Sequence, residues 1–544
     1  AGLVAWRNAP QPSRARPAST PPPAGWFEDQ ARHAGITFRL GHHGKTPLTV
    51  LETMGTGCAT ADLDGDGHAD LLLVGQQETG NTGRCALYRG DGKGSFADVT
   101  PGSGLETPGL YMGCAVADVD NDGKPDLLVT GYGVCRLFRN LGGMRFRDIT
   151  DGSGLAALSP TDWCTSAAFG DVDRDGKLDL YIGRYVVFNE HTLQFCDYGG
   201  VKASCGPKFY DPQFGRLYRN TGGGRFQDWT QKWGLGSQQG KCLGAAFADV
   251  NGDGWPDLYI GNDEMPGDLF INRQGKGFTN EGLSAGVALS SDSQMQGAMG
   301  VDFGDFNRDG RPDLFVTTFE QEPVSLYANR GNTLFEHVSL SMGLDQTRSM
   351  VGFGTRFVDL DNDGWPDLPV ANGHIHDNQS QVDRLSSYPQ PMQLFMNRKG
   401  TFMDDRSREA GPGFTTPMVG RGLAVADFDE DGRPDLLVMD LEGTPRLLMN
   451  RMPETGNWLR VRLEGTRSNR SGIGAKVTVV AGPERWTAEA AAGGSYLSTS
   501  DPRLHFGLGA AKQVDRVEVR WPSGKVSTLA RPAVGGEVRI REPQ

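Results

Sequence analysis

No apolar run in the 544 residues approaches the ~18 needed for a helix to cross a bilayer, and no basic stripe interleaved with aromatics marks a nucleic-acid surface. There is no P-loop, no H-E-x-x-H and no G-x-S-x-G, so the short motifs of nucleotide hydrolysis, zinc proteolysis and serine-esterase chemistry are absent. Positive charge is the minority sign: 54 Lys and Arg face 67 Asp and Glu, a formal net charge of −13. Cysteine is sparse, at eight residues. Glycine is not, at 77 residues without a G-x-y period, which excludes a collagen-like chain and suits a protein built of many turns.

The acidic residues are patterned. D-x-D-x-D-G-x-x-D occurs seven times, the first copy being Asp62-Leu-Asp64-Gly-Asp66-Gly-His-Ala-Asp70. Position 1 is Asp62, Asp118, Asp171, Asp249, Asp305, Asp359 and Asp427. Position 3 is Asp64, Asp120, Asp173, Asn251, Asn307, Asp361 and Asp429; position 5 is Asp66, Asp122, Asp175, Asp253, Asp309, Asp363 and Asp431. Position 7, which offers a backbone carbonyl, is His68, Lys124, Lys177, Trp255, Arg311, Trp365 and Arg433, and position 9 is Asp70, Asp126, Asp179, Asp257, Asp313, Asp367 and Asp435. Oxygen donors at this spacing suit a hard cation with six or seven ligands, which means Ca²⁺, and Gly at position 6 allows the sharp turn around it. Asn251 and Asn307 still offer a carbonyl oxygen. Five loops carry four aspartates and two carry three, so 26 of the 67 acidic residues are loop ligands. About seven bound Ca²⁺ would bring the formal charge close to +1, so the acidity is metal ligation and not a surface seeking basic partners. An EF-hand is excluded because strands flank the loops and the twelfth position of the first is Leu73, not Glu.

The loops recur at spacings of 56, 53, 78, 56, 54 and 68 residues, the period of a propeller or solenoid with two enlarged units. Each is preceded by a small-residue strand such as Met112-Gly-Cys-Ala-Val-Ala117 and followed by an apolar one such as Asp70-Leu-Leu-Leu-Val74. A third strand often ends in Arg-Asn or Met-Asn, as at Asn140, Asn220 and Asn397, and a fourth reads Phe-x-Asp, as at Phe96, Phe146 and Phe226. Four strands in each of seven units predict an all-β, seven-bladed propeller over residues 25–451. Phe27-Glu-Asp29 precedes every loop, while the last unit has no Phe-x-Asp after Asn450, so the N-terminal copy is expected to close the ring. Residues 1–24 hold six prolines and read as a tether. Residues 452–544 carry alternations such as Trp458-Leu-Arg-Val-Arg-Leu463 and predict a small β-sandwich.

These repeats resemble the FG-GAP/VCBS repeats of integrin α-subunit propellers. The chain is similar to bacterial relatives of cartilage acidic protein through Leu51-Glu-Thr-Met-Gly-Thr-Gly57, Cys205-Gly-Pro207 and Asn372-Gly-His-Ile-His376. Its C-terminal part resembles the ASPIC/UnbV domain through Ser468-Asn-Arg-Ser-Gly-Ile-Gly-Ala475, Leu504-His-Phe-Gly-Leu-Gly509 and Trp521-Pro-Ser-Gly524.

Cys196 and Cys205 lie in the enlarged third unit and are expected to form a disulfide; Cys164 and Cys242 are the next candidates for a link, while Cys58, Cys114, Cys85 and Cys135 read equally well as buried thiols. Outside the loops, His374 and His376, two apart, and Glu52 are the candidates for a transition-metal or acid–base site at the mouth of the propeller channel; the alternative is that the histidines fasten the sixth-unit insertion to its blade. Ala1 without Met is what a processed export precursor would show, and millimolar extracellular calcium fills even weak sites. The sequence therefore points to a secreted, periplasmic or cell-surface binding protein for a protein or glycan partner, with neither nucleic acid nor a transmembrane segment. The competing reading is a lyase, cyclase or hydrolase using Glu52, His374 and His376.

Overall fold

In the computed structural model the described residues are 25–42, 46–76, 83–155, 158–189, 191–453 and 455–544; the expected N-terminal tether lies outside them. Each apolar run after an acidic loop is the second strand of an antiparallel sheet, and the small-residue run before the loop is the first. In the first sheet, Gly57–Ala61 pairs Asp70–Gln76, which pairs Gly83–Gly90, which pairs Phe96–Asp98. Seven sheets of this order are present among the described residues. Apolar side chains on both faces of each second strand fill cores shared with the sheet before and the sheet after. One such core joins Leu71 and Leu73 of the first sheet to Leu437 and Met439 of the seventh, so the sheets form a closed ring.

The closing strand is the one expected. Phe27–Asp29 pairs antiparallel with Arg446–Asn450 in the register Phe27↔Asn450, Glu28↔Met449 and Asp29↔Leu448. Phe27 is buried against Phe414, with ring centroids 5.2 Å apart. The seventh sheet thus takes its outermost strand from the other end of the chain.

The C-terminal part packs two sheets face to face. One contains Leu504–Gly509, Asn457–Glu464 and Glu537–Arg541; the other contains Glu484–Glu489, Lys476–Ala481, Arg516–Arg520 and Val526–Ala530. Val461, Phe506 and Ile540 from the first meet Val477, Trp486, Val517 and Val519 from the second in one core. This sandwich lies against the acidic-loop end of the ring, here called the lower face.

The connection between Glu484–Glu489 and Leu504–Gly509 leaves the sandwich and enters the central channel. It hydrogen-bonds the inner strand of every sheet. Thr60 N–H donates to Thr499 O (3.0 Å), Cys114 N–H to Leu497 O (3.1 Å), Phe169 N–H to Ala492 O (2.8 Å) and Val301 N–H to Ser495 O (3.1 Å). Gly494 N–H donates to Ala245 O, Asp501 N–H to Val425 O, and Thr355 N–H to Ser495 Oγ. Seven inner strands would otherwise expose unpaired backbone groups along the channel; the plug supplies their partners. The channel is narrow, and the run Ala490-Ala-Ala-Gly-Gly-Ser495 is correspondingly small. A Cβ on Gly57 would lie 1.9 Å from Leu497 O. Tyr496, fully buried, marks the tip: its hydroxyl donates to Met54 O near the upper end and its ring packs on Phe353 at 4.8 Å.

The cysteines divide. Cys196 and Cys205 form a disulfide with Cα atoms 5.0 Å apart. The expected Cys164–Cys242 link does not form: both thiols are free and buried. Cys164 lies in the core shared with the second sheet and Cys242 in the core shared with the fourth, so the third sheet separates them.

Candidate metal centres and the faces of the ring

All seven acidic loops adopt one conformation. Position 4 is left-handed in every copy, from φ 55° at Glu430 to φ 84° at Gly65, and the position-6 glycines have φ between 83° and 99°. Two positive-φ residues two apart fold the chain back on itself, so that the carboxylates at positions 1, 3 and 5 converge. The position-1 carboxylate accepts the position-6 N–H at 2.7–3.2 Å in all seven. The position-9 carboxylate ties the loop to its sheet: in the second copy Asp126 accepts Val119 N–H (3.1 Å) and Asn140 N–H (2.8 Å). The same pair of bonds recurs from Asp70 to Asp435.

Carboxylate oxygens of Asp62, Asp64 and Asp66 lie within 4.8 Å of one another, as do those of Asp118, Asp120 and Asp122; of Asp171, Asp173 and Asp179; of Asp359, Asp361 and Asp367; and of Asp427, Asp429 and Asp435. The other two loops carry Asn251 or Asn307 at position 3, between Asp249, Asp253 and Asp257, and between Asp305, Asp309 and Asp313. Burial, reinforced by the neighbouring carboxylates, pushes the Asp70, Asp126 and Asp171 carboxyls up to about 7 and Asp313 to about 8. Oδ1 of Asp173, of Asp249 and of Asp429 is buried without a hydrogen-bond donor. Such acceptors, gathered and unpartnered, fit a hard divalent cation. Position-7 side chains turn outward: Lys124 and Lys177 reach Asp122 and Asp175 at 2.7 Å, Arg311 and Arg433 reach Asp309 and Asp431, and His68 reaches Glu430 at 3.0 Å. Trp255 lies under Arg174 and Trp365 under Arg308. Third-strand arginines meet positions 3 and 5 from outside, Arg89 on Asp64 and Asp66 and Arg219 on Asp173 and Asp175.

Two sets of residues with a role here are not evident from the spacing alone. One is the Asn that ends the third strand. Asn220 Nδ2 donates to Leu178 O of its own loop (3.0 Å) and to Val119 O of the preceding loop (2.8 Å). Asn140, Asn272, Asn329, Asn397 and Asn450 do the same, each linking consecutive loops. At the seam, Gly90 replaces the Asn and Gly94 N–H donates to Phe428 O (3.0 Å). The recurring Arg-Asn was the visible signal; the link it makes is spatial. The other set is position 4, where Asn121, Arg174, Arg308 and Asn362 stand in a conformation that glycine adopts more readily. These side chains hold the sandwich: Asn121 Oδ1 accepts Arg470 N–H (2.8 Å), Arg174 donates to Pro522 O (2.5 Å), Arg308 to Arg485 O (3.1 Å), and Asn362 Oδ1 meets His505 Nε2 (2.6 Å). Arg462 pairs with Asp62, Lys476 donates to Gly310 O and Arg503 to Gly67 O. Glu489 accepts Asp249 N–H and Arg460 lies 3.4 Å from Asp427, so the sandwich touches all seven loops.

At the opposite, upper face, Glu52 lies in the short helix Val50–Met54, where it closes a capping box with Thr49. His374 Nδ1 accepts the N–H of His376 (2.9 Å), which leaves Nε2 to carry the proton of the neutral ring and face Glu320 at 3.3 Å. His376 Nε2 meets Ser204 O at 3.0 Å, so its proton-bearing nitrogen faces the third-unit insertion, and Asn378 Nδ2 donates to Lys202 O nearby. The two histidines point to different partners: His376 ties the sixth-unit insertion to the third-unit one, and His374 faces Glu320 of the fifth unit. Their segment and that of Glu52 meet at a residue without a motif. The fully buried Arg421 donates to Thr53 O, Gly373 O, His374 O and Gly420 O, with Phe353 under its guanidinium at 4.0 Å.

Comparison with known proteins agrees with this architecture. The FG-GAP-like repeat model matches residues 62–129, 118–182, 209–260, 249–316 and 305–370, and the ASPIC and UnbV model matches residues 465–544. Human cartilage acidic protein 1 is 31% identical over 294 residues, which cover 52% of this chain and 40% of the relative. Human T-cell immunomodulatory protein is 24% identical over 319 residues, covering 51% and 50%. The chain thus matches about half or less of each relative's length. Among solved structures, an Agrocybe aegerita lectin recognising non-reducing terminal N-acetylglucosamine aligns at 16% identity over 72% of this chain and 86% of that one, with a TM-score of 0.39, too low to carry an argument. Repeats across half of the chain, followed by the matched C-terminal domain, make this protein a member of the FG-GAP-like repeat family with an ASPIC and UnbV domain.

Proposed function

We propose that the protein is an exported binding protein, a calcium-rigidified ring that offers its upper face to a protein or glycan partner. Calcium in the seven loops holds the lower face in shape, and the sandwich caps that face and fills the channel. What remains outward is the upper rim. The observation that carries the reading is there: the third-unit insertion, closed by the Cys196–Cys205 disulfide, exposes Phe195, Phe209 and Phe214. Leu385 is 97% exposed on the sixth-unit insertion, which His376 and Asn378 join to the third-unit one. Large apolar side chains held outward on a stapled segment are features of interaction surfaces. The disulfide also supports an oxidising compartment, and among the described residues no helix is long and apolar enough to cross a membrane.

The test is site-specific photo-crosslinking in the producing culture. A photoreactive residue in place of Phe195 or Phe209 is expected to give discrete adducts, lost when Phe214→Ser and Leu385→Ser are introduced. Adducts only from a probe on the sandwich, for example at Val526, would place the partner elsewhere and contradict the proposal.

A further inference from the structure

Between the lower mouth of the channel and the two legs of the plug lies a cavity of about 210 Å³. Its roof is the ends of the inner strands in the fourth to seventh sheets; its floor is residues 486–493 and 500–507 of the sandwich. Phe303, Phe357 and Phe506 give it apolar walls. Its lining includes no described residue of the first to third sheets.

Most charged groups lining it are held. Arg356 donates to Asp302 at 2.8 Å, Arg503 to Asp501 at 2.8 Å, Lys476 to Gly310 O, and Arg308 pairs with Glu484. Glu489 accepts the Asp249 N–H. Asp305, Asp359 and Asp427 are position-1 residues of the acidic loops. Arg460 is the exception. It is only 6% exposed, yet Nε and Nη1 have no hydrogen-bond partner. Its nearest carboxylates, Asp427 at 3.4 Å and Glu537 at 3.6 Å, are beyond good hydrogen-bond length. Calcium in the seventh loop would draw on the same Asp427 carboxylate and weaken its compensation of Arg460. Buried charged donors without a well-placed acceptor are costly, more so than neutral ones. The complement is an anion, and the aromatic walls ask for an apolar body on it. A cavity of ~150 Å³ holds benzene, so this one has room for a ring and a carboxylate.

We propose that this chamber binds a small organic carboxylate, its oxygens on Arg460 and its apolar body against Phe303 and Phe357. The ligand joins the propeller to the sandwich, since the donor belongs to one and the aromatic walls to both. The inference rests on calcium-loaded loops, so calcium content is measured on the same samples.

The full chain in millimolar calcium is titrated with 4-fluorobenzoate and followed by fluorine NMR, with benzoate and inorganic phosphate as competitors. One saturable site per chain is expected, competed by benzoate and not by phosphate. Arg460→Gln is expected to weaken it by about tenfold or more, the loss of a hydrogen bond to a charged group, with calcium content unchanged. Should that variant fail to dock its sandwich, a crystal of the wild type soaked in 4-iodobenzoate locates the site directly, iodine being expected beside Phe303 and Phe357. Absence of saturable binding in calcium-replete protein, binding that Arg460→Gln leaves intact, iodine elsewhere, or phosphate displacing the probe would each overturn the proposal.

Discussion

Glu542 shows how single side chains fix the sandwich. Its carboxylate accepts the backbone N–H groups of Thr466, Arg467 and Ser468 at 2.7, 2.7 and 2.9 Å, and the Ser468 hydroxyl at 2.9 Å. Although burial opposes it, hydrogen bonding from Ser523 and these groups brings the carboxyl down to about 2. A folded-state value below the unfolded one stabilises the protein at pH above ~4.5, and this contribution is lost as pH falls toward 2. Glu542→Gln is therefore expected to cost about 1–3 kcal/mol at pH 7, measured by urea unfolding in calcium. The gap between variant and wild type is expected to shrink below pH ~4.5 and close near pH 2; a gap independent of pH would contradict the role assigned to its charge. Glu542 has no motif. Its partners at Thr466–Ser468 lie 74–76 residues away in sequence and Ser523 lies 19 away, so nothing local announces the cradle. The loop aspartates are the opposite case, because the ligand positions of each loop lie within nine residues of one another and the spacing alone is informative.

At the scale of elements, two contacts decide whether the ring closes and whether its channel is filled. Deleting residues 1–30 removes the strand Phe27–Asp29 and the burial of Phe27, whereas deleting 1–24 removes neither. The longer deletion is expected to lower the melting temperature by many degrees more; equal melting temperatures would refute closure by this strand. Gly57→Ala would place a methyl group 1.9 Å from Leu497 O. No acidic loop is touched, so this variant is expected to hold its calcium yet lose protection of the amides of residues 490–501 in hydrogen exchange. Unchanged protection would mean that the plug is not held by close contact with the inner strands. Strands, loops and closure were legible in the sequence because each is written in a repeat of adjacent residues. The plug was not. Residues 490–499 carry no periodicity or motif; the signal was compositional, small residues around one Tyr, and it gains meaning only once the channel width is known. The histidine pair was legible as a cluster, but its partners Glu320 and Ser204 come from other units, and the buried Arg421 that joins its segment to that of Glu52 sits inside an ordinary strand.

For the molecule as a whole, the lower face carries the argument. Each loop gathers three or four carboxylates, neighbouring loops are linked by the third-strand Asn residues, and the sandwich rests on all seven. Cation binding to the native state alone contributes about 2.7 kcal/mol per site at a hundredfold excess over Kd. Several such sites together exceed the ~5–15 kcal/mol net stability of a typical domain. Removing calcium is thus expected to loosen the ring and release the sandwich together. The fourth and fifth loops, with Asn251 and Asn307, have one charge fewer and are expected to empty first. The most direct measurement is metal analysis of protein dialysed in millimolar calcium, paired with its melting temperature before and after chelation. The account predicts close to seven calcium ions per chain and a large fall in melting temperature with chelator. Two or fewer ions, or a melting temperature indifferent to chelation, would contradict it.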